Sequence, residues 1–283
     1  MSVTQGIITP VLKAAPWLPR TEGSVRLGLV RRGAATRVEV LHQLGAARVR
    51  FPRAAAGEPL EAVVLNTAGG LTGGDRFIIS AALGVGASAV MTTAAAEKIY
   101  RSDHGRTEMS VALSLAGNAA LAWLPQPTIV FDRAALERTT TIELSAEATF
   151  LGVEMLIFGR AAMGESVTRG AVRDSWRLRR DGELVFADSF RLEGPIAAAL
   201  ARPALLAGGR ASGLVIYAAP DAGAAIERAR ASIGAAAGLI GVSTVNDLVL
   251  ARAVAADGRT LQADLALLIG SLLRRPLPRI WKC

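Results

Sequence analysis

The stretch Val64-Leu-Asn-Thr-Ala-Gly-Gly-Leu-Thr-Gly-Gly-Asp-Arg-Phe-Ile-Ile79 reads as a strand, a glycine-paired turn and a second strand. Gly69, Gly70, Gly73 and Gly74 place backbone freedom at four of six positions, and Asp75 stands where the second strand begins. Glycine loses more entropy than other residues when it is fixed, so two pairs this close point to positive φ or to very close backbone approach. A tight β-turn with a bulge and a functional loop both satisfy that pattern.

On either side of this stretch the apolar residues recur every second position. Val25, Leu27 and Leu29 share a face, Arg37-Val-Glu-Val40 alternates, and Ala47-Arg-Val-Arg-Phe51 runs to a stop at Pro52. Phe77, Ile79, Ala81 and Leu83 alternate up to Gly84-Val-Gly86, and Met109, Val111, Leu113 and Leu115 line one face of Thr107–Leu115. Ile142-Glu-Leu144 continues the theme. Residues 149–158 are apolar apart from Glu154, the pattern of a strand covered on both faces. Val172, Trp176 and Leu178 lead into Asp181-Gly182, a strong hairpin signal, and Leu184, Phe186, Phe190 and Leu192 return on the same parity. Within residues 20–193 only the alanine-rich 93–100 offers a turn or two of helix.

Residues 194–283 differ. Residues 195–206 form a short helix candidate, 213–218 a strand, and Asp221 a candidate N-cap for a helix over 222–233 with Ala225, Ile226, Ala229 and Ile233 as its apolar stripe. A strand over 248–255 ends at the turn Asp257-Gly258, and Thr260 caps a helix over 261–273 that closes on Arg274-Arg275-Pro276. The pattern predicts a mainly β chain with a smaller C-terminal α/β part of about two helices. It reads as one domain over residues 1–283, made of a strand-rich body at 20–193 and the tail at 194–283, with no clean internal repeat. A sandwich, a barrel and a solenoid all accommodate such a run of strands.

Composition narrows the function classes. Over 283 residues, 51% are hydrophobic, which excludes general disorder. No apolar run approaches the length of a membrane helix, and Met1–Pro10 lacks the basic start and apolar core of a secretory signal. The single cysteine, Cys283, permits no internal disulfide and fits a cytoplasmic setting. The net charge of +8 invites a nucleic-acid reading, yet the arginines are scattered, lysines number only three and aromatics make up 5%. A basic face for an acidic protein partner fits better.

The chemistry-bearing residues are few. The chain has two histidines, His42 in a strand pattern as a half-buried polar residue and His104 in the polar turn Arg101-Ser-Asp-His-Gly105. There is no Gly-x-Ser-x-Gly elbow, no Cys-x-x-Cys and no His-x-x-x-His, so nucleophilic hydrolysis and a tight transition-metal site are both disfavoured. Gly73-Gly74 is followed by Asp75-Arg76 rather than Lys-Ser/Thr, and an acid there repels phosphate. What remains is Asp75, the pair Glu97-Lys98, Asp132, Glu154, and Glu165 within Gly159-Arg-Ala-Ala-Met-Gly-Glu165. Each acid either pairs with an arginine, as Arg160 with Glu165, or joins others along a hydrated channel. The enzymatic alternative is a β-solenoid or sandwich using Asp75, Asp132 or Glu165 as acid and base.

Five segments in order carry a resemblance: Gly69–Asp75, Thr92-Thr-Ala-Ala-Ala-Glu-Lys98-Ile-Tyr-Arg-Ser102, Trp123-Leu-Pro-Gln-Pro-Thr-Ile-Val-Phe-Asp132, Gly159–Glu165 and Pro278-Arg-Ile-Trp281. Together, over about residues 60–281, they resemble the urease accessory protein UreD family, called UreH in some bacteria. Ala68 and Ala94 depart from the proline and glutamine frequent there. The resemblance implies a helix-like stack of strands with two helices near its end, and a non-enzymatic scaffold of the cytoplasm. Such a scaffold binds the urease structural subunits and recruits UreF and, through it, UreG, in which GTP hydrolysis resides. It implies no tightly bound cofactor, nickel as transient cargo, and a water-filled passage for which Asp75, Lys98, Asp132 and Glu165 are the best-matched lining or wall residues. Nucleic acid and membrane are not among the expected partners.

Overall fold

The computed structural model describes residues 20–53, 57–160 and 163–282. The expectations for Cys283 and the N-terminal Met1–Pro10 lie outside them. The chain opens with the hairpin β1 (Glu22–Arg32) and β2 (Ala35–Gly45), followed by β3 (Ala47–Arg50). Four coils follow: β4 (Leu60–Asn66) with β5 (Arg76–Leu83); β6 (Ser88–Thr93), β7 (Glu97–Ile99) and β8 (Thr107–Leu115); β9 (Ala120–Leu124), β10 (Thr128–Val130) and β11 (Ala135–Leu144); β12 (Thr149–Phe158) with β13 (Gly170–Arg180). β14 (Glu183–Gly194) closes the body, and the tail comprises α1 (Ile196–Leu200), β15 (Ala211–Ala218), α2 (Ala222–Ser232), β16 (Leu239–Val245), β17 (Leu248–Ala255) and α3 (Gly258–Leu273). The protein is mainly β, as the alternation predicts, with a β-solenoid-like stack at its centre.

Each coil crosses from one sheet to the other. The second strands stack in parallel as β13-β11-β8-β5 beside β1, with β14 and β2 antiparallel at the two ends of a seven-stranded sheet. The first strands stack in parallel as β12-β9-β6-β4, and β15, β17 and β16 extend that sheet antiparallel beyond β12. Leu60 pairs with Ala89, Ser88 with Ala120 and Ala120 with Thr149, steps of 29, 32 and 29 residues. A repeat is therefore present where the sequence pattern suggests none. Its signature is the corner between coils: Leu83-Gly-Val-Gly-Ala87, Leu115-Ala-Gly-Asn-Ala119 and Leu144-Ser-Ala-Glu-Ala148. In each corner the closing alanine is buried and donates its amide to the carbonyl three residues back, at 3.0–3.1 Å. Bonds such as Ala116 N to the Leu83 carbonyl and Ser145 N to the Leu115 carbonyl tie one corner to the next.

Two apolar layers result. Between the sheets, Val25, Leu27, Phe77, Ile79, Val111, Leu113, Ile142, Trp176 and Leu178 meet Val64, Met91, Leu121, Trp123, Phe150 and Phe158. On the far side of the larger sheet, Leu261, Leu265, Leu268 and Leu272 of α3 and Ala225 and Ala229 of α2 cover Val153, Met155, Val215 and Ala251. This is why β12 reads as apolar on both faces. It also explains why β6 and β9 carry no alternation to read: four residues in a row of each are buried.

Several local expectations need correction. Residues 97–99 form β7 rather than helix, because the neighbouring coils take up their backbone: β7 pairs with β10, and Leu71 bridges Ile99. Val185 is a bulge residue, with Leu178 opposite Phe186 and Arg179 opposite Leu184, so Leu184 turns out to solvent. His42 is exposed on the edge strand β2. Asp221 stands at the N-cap of α2 but spends its carboxylate on the Tyr217 hydroxyl (2.6 Å) and Arg228 (2.8 Å). Asp257, not Thr260, caps α3, accepting the Thr260 amide at 2.9 Å, so the helix begins at Gly258 where a turn is expected. The indole of Trp281 donates to the Leu124 carbonyl at 2.9 Å, docking the last residues against β9.

Candidate functional site

The glycine loop links β4 to β5, which lie in different sheets, so it is a crossover and not a hairpin turn. Its glycines serve close approach. A Cβ on Gly73 would stand 1.8 Å from Ser102 Oγ and 2.3 Å from the His104 carbonyl oxygen. Gly70, at φ +154°, lies under the Tyr100 ring, and the Tyr100 hydroxyl donates to the Gly69 carbonyl at 3.2 Å. Gly74 donates its amide to the Arg106 carbonyl at 2.9 Å. Asp75 is buried where β1 and β5 begin: Oδ1 accepts the Thr21 amide at 2.7 Å and Oδ2 the Thr72 amide at 2.8 Å. That carboxylate folds the loop and ties it to the first strand.

The crossover segments of successive coils stack on the same edge, which gathers four of the five sequence motifs. Tyr100 packs edge-on against Phe131, centroids 5.0 Å apart, and the Arg160 guanidinium lies 4.4 Å over the Phe131 ring. Arg160 Nε donates to Glu165 Oε2 at 2.8 Å, the pair anticipated from the sequence, and Glu165 Oε1 accepts the Asp132 amide at 3.4 Å. Asp132 Oδ1 accepts the Thr168 amide (2.6 Å), the Thr168 hydroxyl (2.8 Å) and the Arg169 amide (3.1 Å). Burial works to raise the pKa of both acids. For Asp132 the Thr168 and Arg169 donors outweigh it, for Glu165 the Arg160 guanidinium and backbone donors do, and both carboxyls end below the ordinary range. Asp132 and Glu165 are thus neighbours, Asp75 sits at the other end of the glycine loop, and all three hold loop backbone.

Behind this edge, between the sheets, lies a cavity of about 200 Å³. Its apolar wall includes Phe77, Ile79, Met109, Val111 and Trp123, and its polar wall includes Asn66, Glu97, Gln126, Thr128, Arg138 and Glu154. That volume holds about six waters at liquid density. The Gln126 amide nitrogen is covered and meets no protein acceptor among the described residues, so a cavity water would satisfy it. Of the candidate passage residues Asp75, Lys98, Asp132 and Glu165, only Lys98 borders this space, and it is solvent-exposed; Glu97, Gln126 and Thr128 of the same motif segments also line it.

The floor of the cavity is a buried ionic cluster. Arg138 of β11 makes a two-pronged contact with Asp174 of β13, at 3.1 and 2.7 Å, and donates to Thr128 Oγ1 at 2.8 Å. Its Nη2 also pairs with Glu154 Oε1 of β12. The three charged residues are each at most 7% exposed. Burial pushes the Glu154 carboxyl up, and the Asp174 charge adds to this against the pull of Arg138. Glu97 at the wall accepts the Asn66 amide on both carboxylate oxygens, at 3.1 and 3.2 Å. Burial raises its pKa to about 7 in spite of those bonds, the Lys98 amide and the Arg138 charge.

A carboxyl raised from 4.5 to about 7 binds its proton more tightly in the folded protein, so its stabilising contribution is complete below pH 4.5 and lost as pH rises through 7. The urea midpoint is accordingly expected to fall between pH 5 and 8, by an amount on the order of 2 kcal/mol in stability, and Glu97→Gln should remove most of that slope. Denaturation curves of the two proteins at a series of pH values check this.

Glu97 and Glu154 stand out in the sequence as acids in apolar settings, whereas Arg138 and Asp174 are missed. The available signal is parity. Arg138 lies between Leu136 and Ile142, and Asp174 between Val172 and Trp176, at positions where an alternating strand turns inward. Among the described residues, no three His, Cys, Asp or Glu side chains are grouped to hold a metal ion. No helix among them is long and apolar enough to cross a membrane.

The family model described as "UreD urease accessory protein" matches residues 21–282. A relative from Xanthobacter autotrophicus named urease accessory protein UreD is 47% identical over 262 residues, covering 93% of this chain and 90% of its own length. A protein of the same name from a Methylobacterium species is 45% identical, covering 94% of this chain and 96% of its own. A third, UreD 1 of a Bradyrhizobium species, is 44% identical over 93% of this chain and 94% of its own.

Proposed function

Because this chain belongs to the UreD urease accessory protein family, we propose that it is a cytoplasmic, non-enzymatic scaffold that binds the urease subunits, engages UreF and through it UreG, and passes nickel along the inter-sheet cavity. Family membership supports the part in urease maturation. The observation that carries the nickel reading is the cavity itself, a space between the sheets with an apolar wall on one side and Glu97 and Glu154 in its polar wall. Single oxygen donors that bind a proton near neutral pH exchange it for an ion and release the ion again. Clustered thiolates or imidazoles would hold nickel far more firmly. Asp75, Asp132 and Glu165 then act one step away, by holding the crossover loops that close the edge of the cavity. Lys98 places one positive charge beside the same edge.

Co-expression with the urease subunits, UreF and UreG tests this. Apo-urease is expected to co-purify with the parent chain and with Glu97→Gln and Glu154→Gln alike, while the nickel content of the urease recovered with either variant falls several-fold. Absence of any association by the parent chain sinks the scaffold. Intact association with unchanged nickel in both variants sinks the cavity as the route.

A further inference from the structure

We infer that Arg138 is a fixed internal cation, occupying the place that a divalent metal ion would otherwise take at the cavity floor and so keeping that floor from trapping one. Four oxygens surround its guanidinium: Asp174 Oδ1 and Oδ2 at 3.1 and 2.7 Å, Thr128 Oγ1 at 2.8 Å, and Glu154 Oε1. They come from three strands, β13, β10 and β12, and converge on the side chain of a fourth, β11. A single nitrogen, Nη2, touches carboxylate oxygens of both Asp174 and Glu154. An all-oxygen set with two carboxylates is the donor chemistry of hard and borderline divalent cations.

The position is also reachable. Thr128, Arg138 and Glu154 all border the cavity, so an ion that enters meets the cluster. Without Arg138 the floor would present two carboxylates facing each other across the space the guanidinium fills. With it, one of the two negative charges is cancelled, and Glu154, raised by burial and by Asp174, keeps its proton more readily than an ordinary glutamate. Stability gives a weaker reason for the arginine. The inward positions around it, Leu136, Ile142 and Trp176, are filled by apolar side chains, and a buried ion cluster is commonly no more stable than an apolar replacement. Arg138 would keep any divalent ion from lodging among these four oxygens in this way, whatever the protein delivers.

The test uses the full-length protein and Mn²⁺ as the probe, with the six-line resonance of the free ion as readout. The parent chain is expected to leave that signal unchanged at the floor site. Arg138→Ala is expected to bind about one Mn²⁺ per chain, Arg138→Lys to bind none, and Arg138→Ala combined with Asp174→Asn to lose the site again. A folded Arg138→Ala protein that binds no more Mn²⁺ than the parent overturns the assignment. If Arg138→Ala does not stay folded alone, it is refolded from urea with and without Mn²⁺. Recovery that requires the ion supports the assignment, and recovery, or failure, that is indifferent to it overturns it.

Discussion

Gly73→Ala is expected to cost more than 3 kcal/mol or to prevent folding outright, although its backbone is not in the left-handed region. The new methyl would fall 1.8 Å from Ser102 Oγ, 2.3 Å from the His104 carbonyl oxygen and 2.9 Å from that of Gly105. Ser102 cannot simply turn away, since its hydroxyl donates to those two carbonyls at 3.1 and 2.8 Å. Two of the three obstacles are backbone, so the 102–106 turn would have to part from the glycine loop, losing the Gly74-to-Arg106 hydrogen bond as well. Overpacking that moves backbone costs about 1–3 kcal/mol, and the lost hydrogen bonds add about 1 kcal/mol each. Gly69→Ala makes the informative control: its φ is +76° but nothing lies within 4 Å of the new methyl, so only about 1 kcal/mol of backbone strain is expected. Urea denaturation of both variants decides whether close approach or backbone conformation is what the glycine pairs supply.

The second large effect is Asp75→Ala. The buried carboxylate accepts two backbone amides, Thr21 at 2.7 Å and Thr72 at 2.8 Å, and removing it leaves both donors without their partner. Hydrogen bonds to a charged group contribute about 1.5–3 kcal/mol, so a loss of about 3 kcal/mol and a fall of roughly 6–12 °C in Tm are expected. Asp75→Asn retains one acceptor and should lose about half as much. A thermal melt separates this from a direct part in nickel transfer. If Asp75→Ala melts with the parent while nickel loading of urease falls, the carboxylate serves the cargo; if the melting point falls and Asn restores most of it, the carboxylate serves the loop.

Most of the strand-rich body was legible because alternation is a local property. Val25, Leu27 and Leu29 and the row from Phe77 to Leu83 are buried as their parity requires. Hairpin chemistry was equally local, with Asp181 and Gly182 both at positive φ between β13 and β14. Legibility failed where a strand is covered on both faces, as in β6 and β9, because burial then erases the period. It failed at Leu184 because a bulge shifts parity without leaving a trace in composition. The coil repeat was present in the three Leu-x-x-x-Ala corners, but the strands between them share no residue pattern strong enough to reveal it.

By itself the sequence determined that the chain is mainly β with a helical tail, and its ordered motifs determined the family. Both rest on residues near one another along the chain. Only the tertiary structure decided what the motifs do together. Gly70, Tyr100, Phe131 and Arg160 meet because successive coils place equivalent crossovers on one edge, a consequence of register that no single segment encodes. The same holds for the cavity floor, where Thr128, Arg138, Glu154 and Asp174 come from four strands. The glycine loop, read in isolation, offers a turn with one acid at its end. In the folded protein it is a crossover whose acid is spent on backbone amides, and the carboxyls that burial raises, Glu97 and Glu154, lie behind it. Whether an acid's pKa is raised, as at Glu97 and Glu154, or lowered, as at Asp132 and Glu165, is set by who donates hydrogen bonds to it and how deeply it is buried, and those are properties of packing.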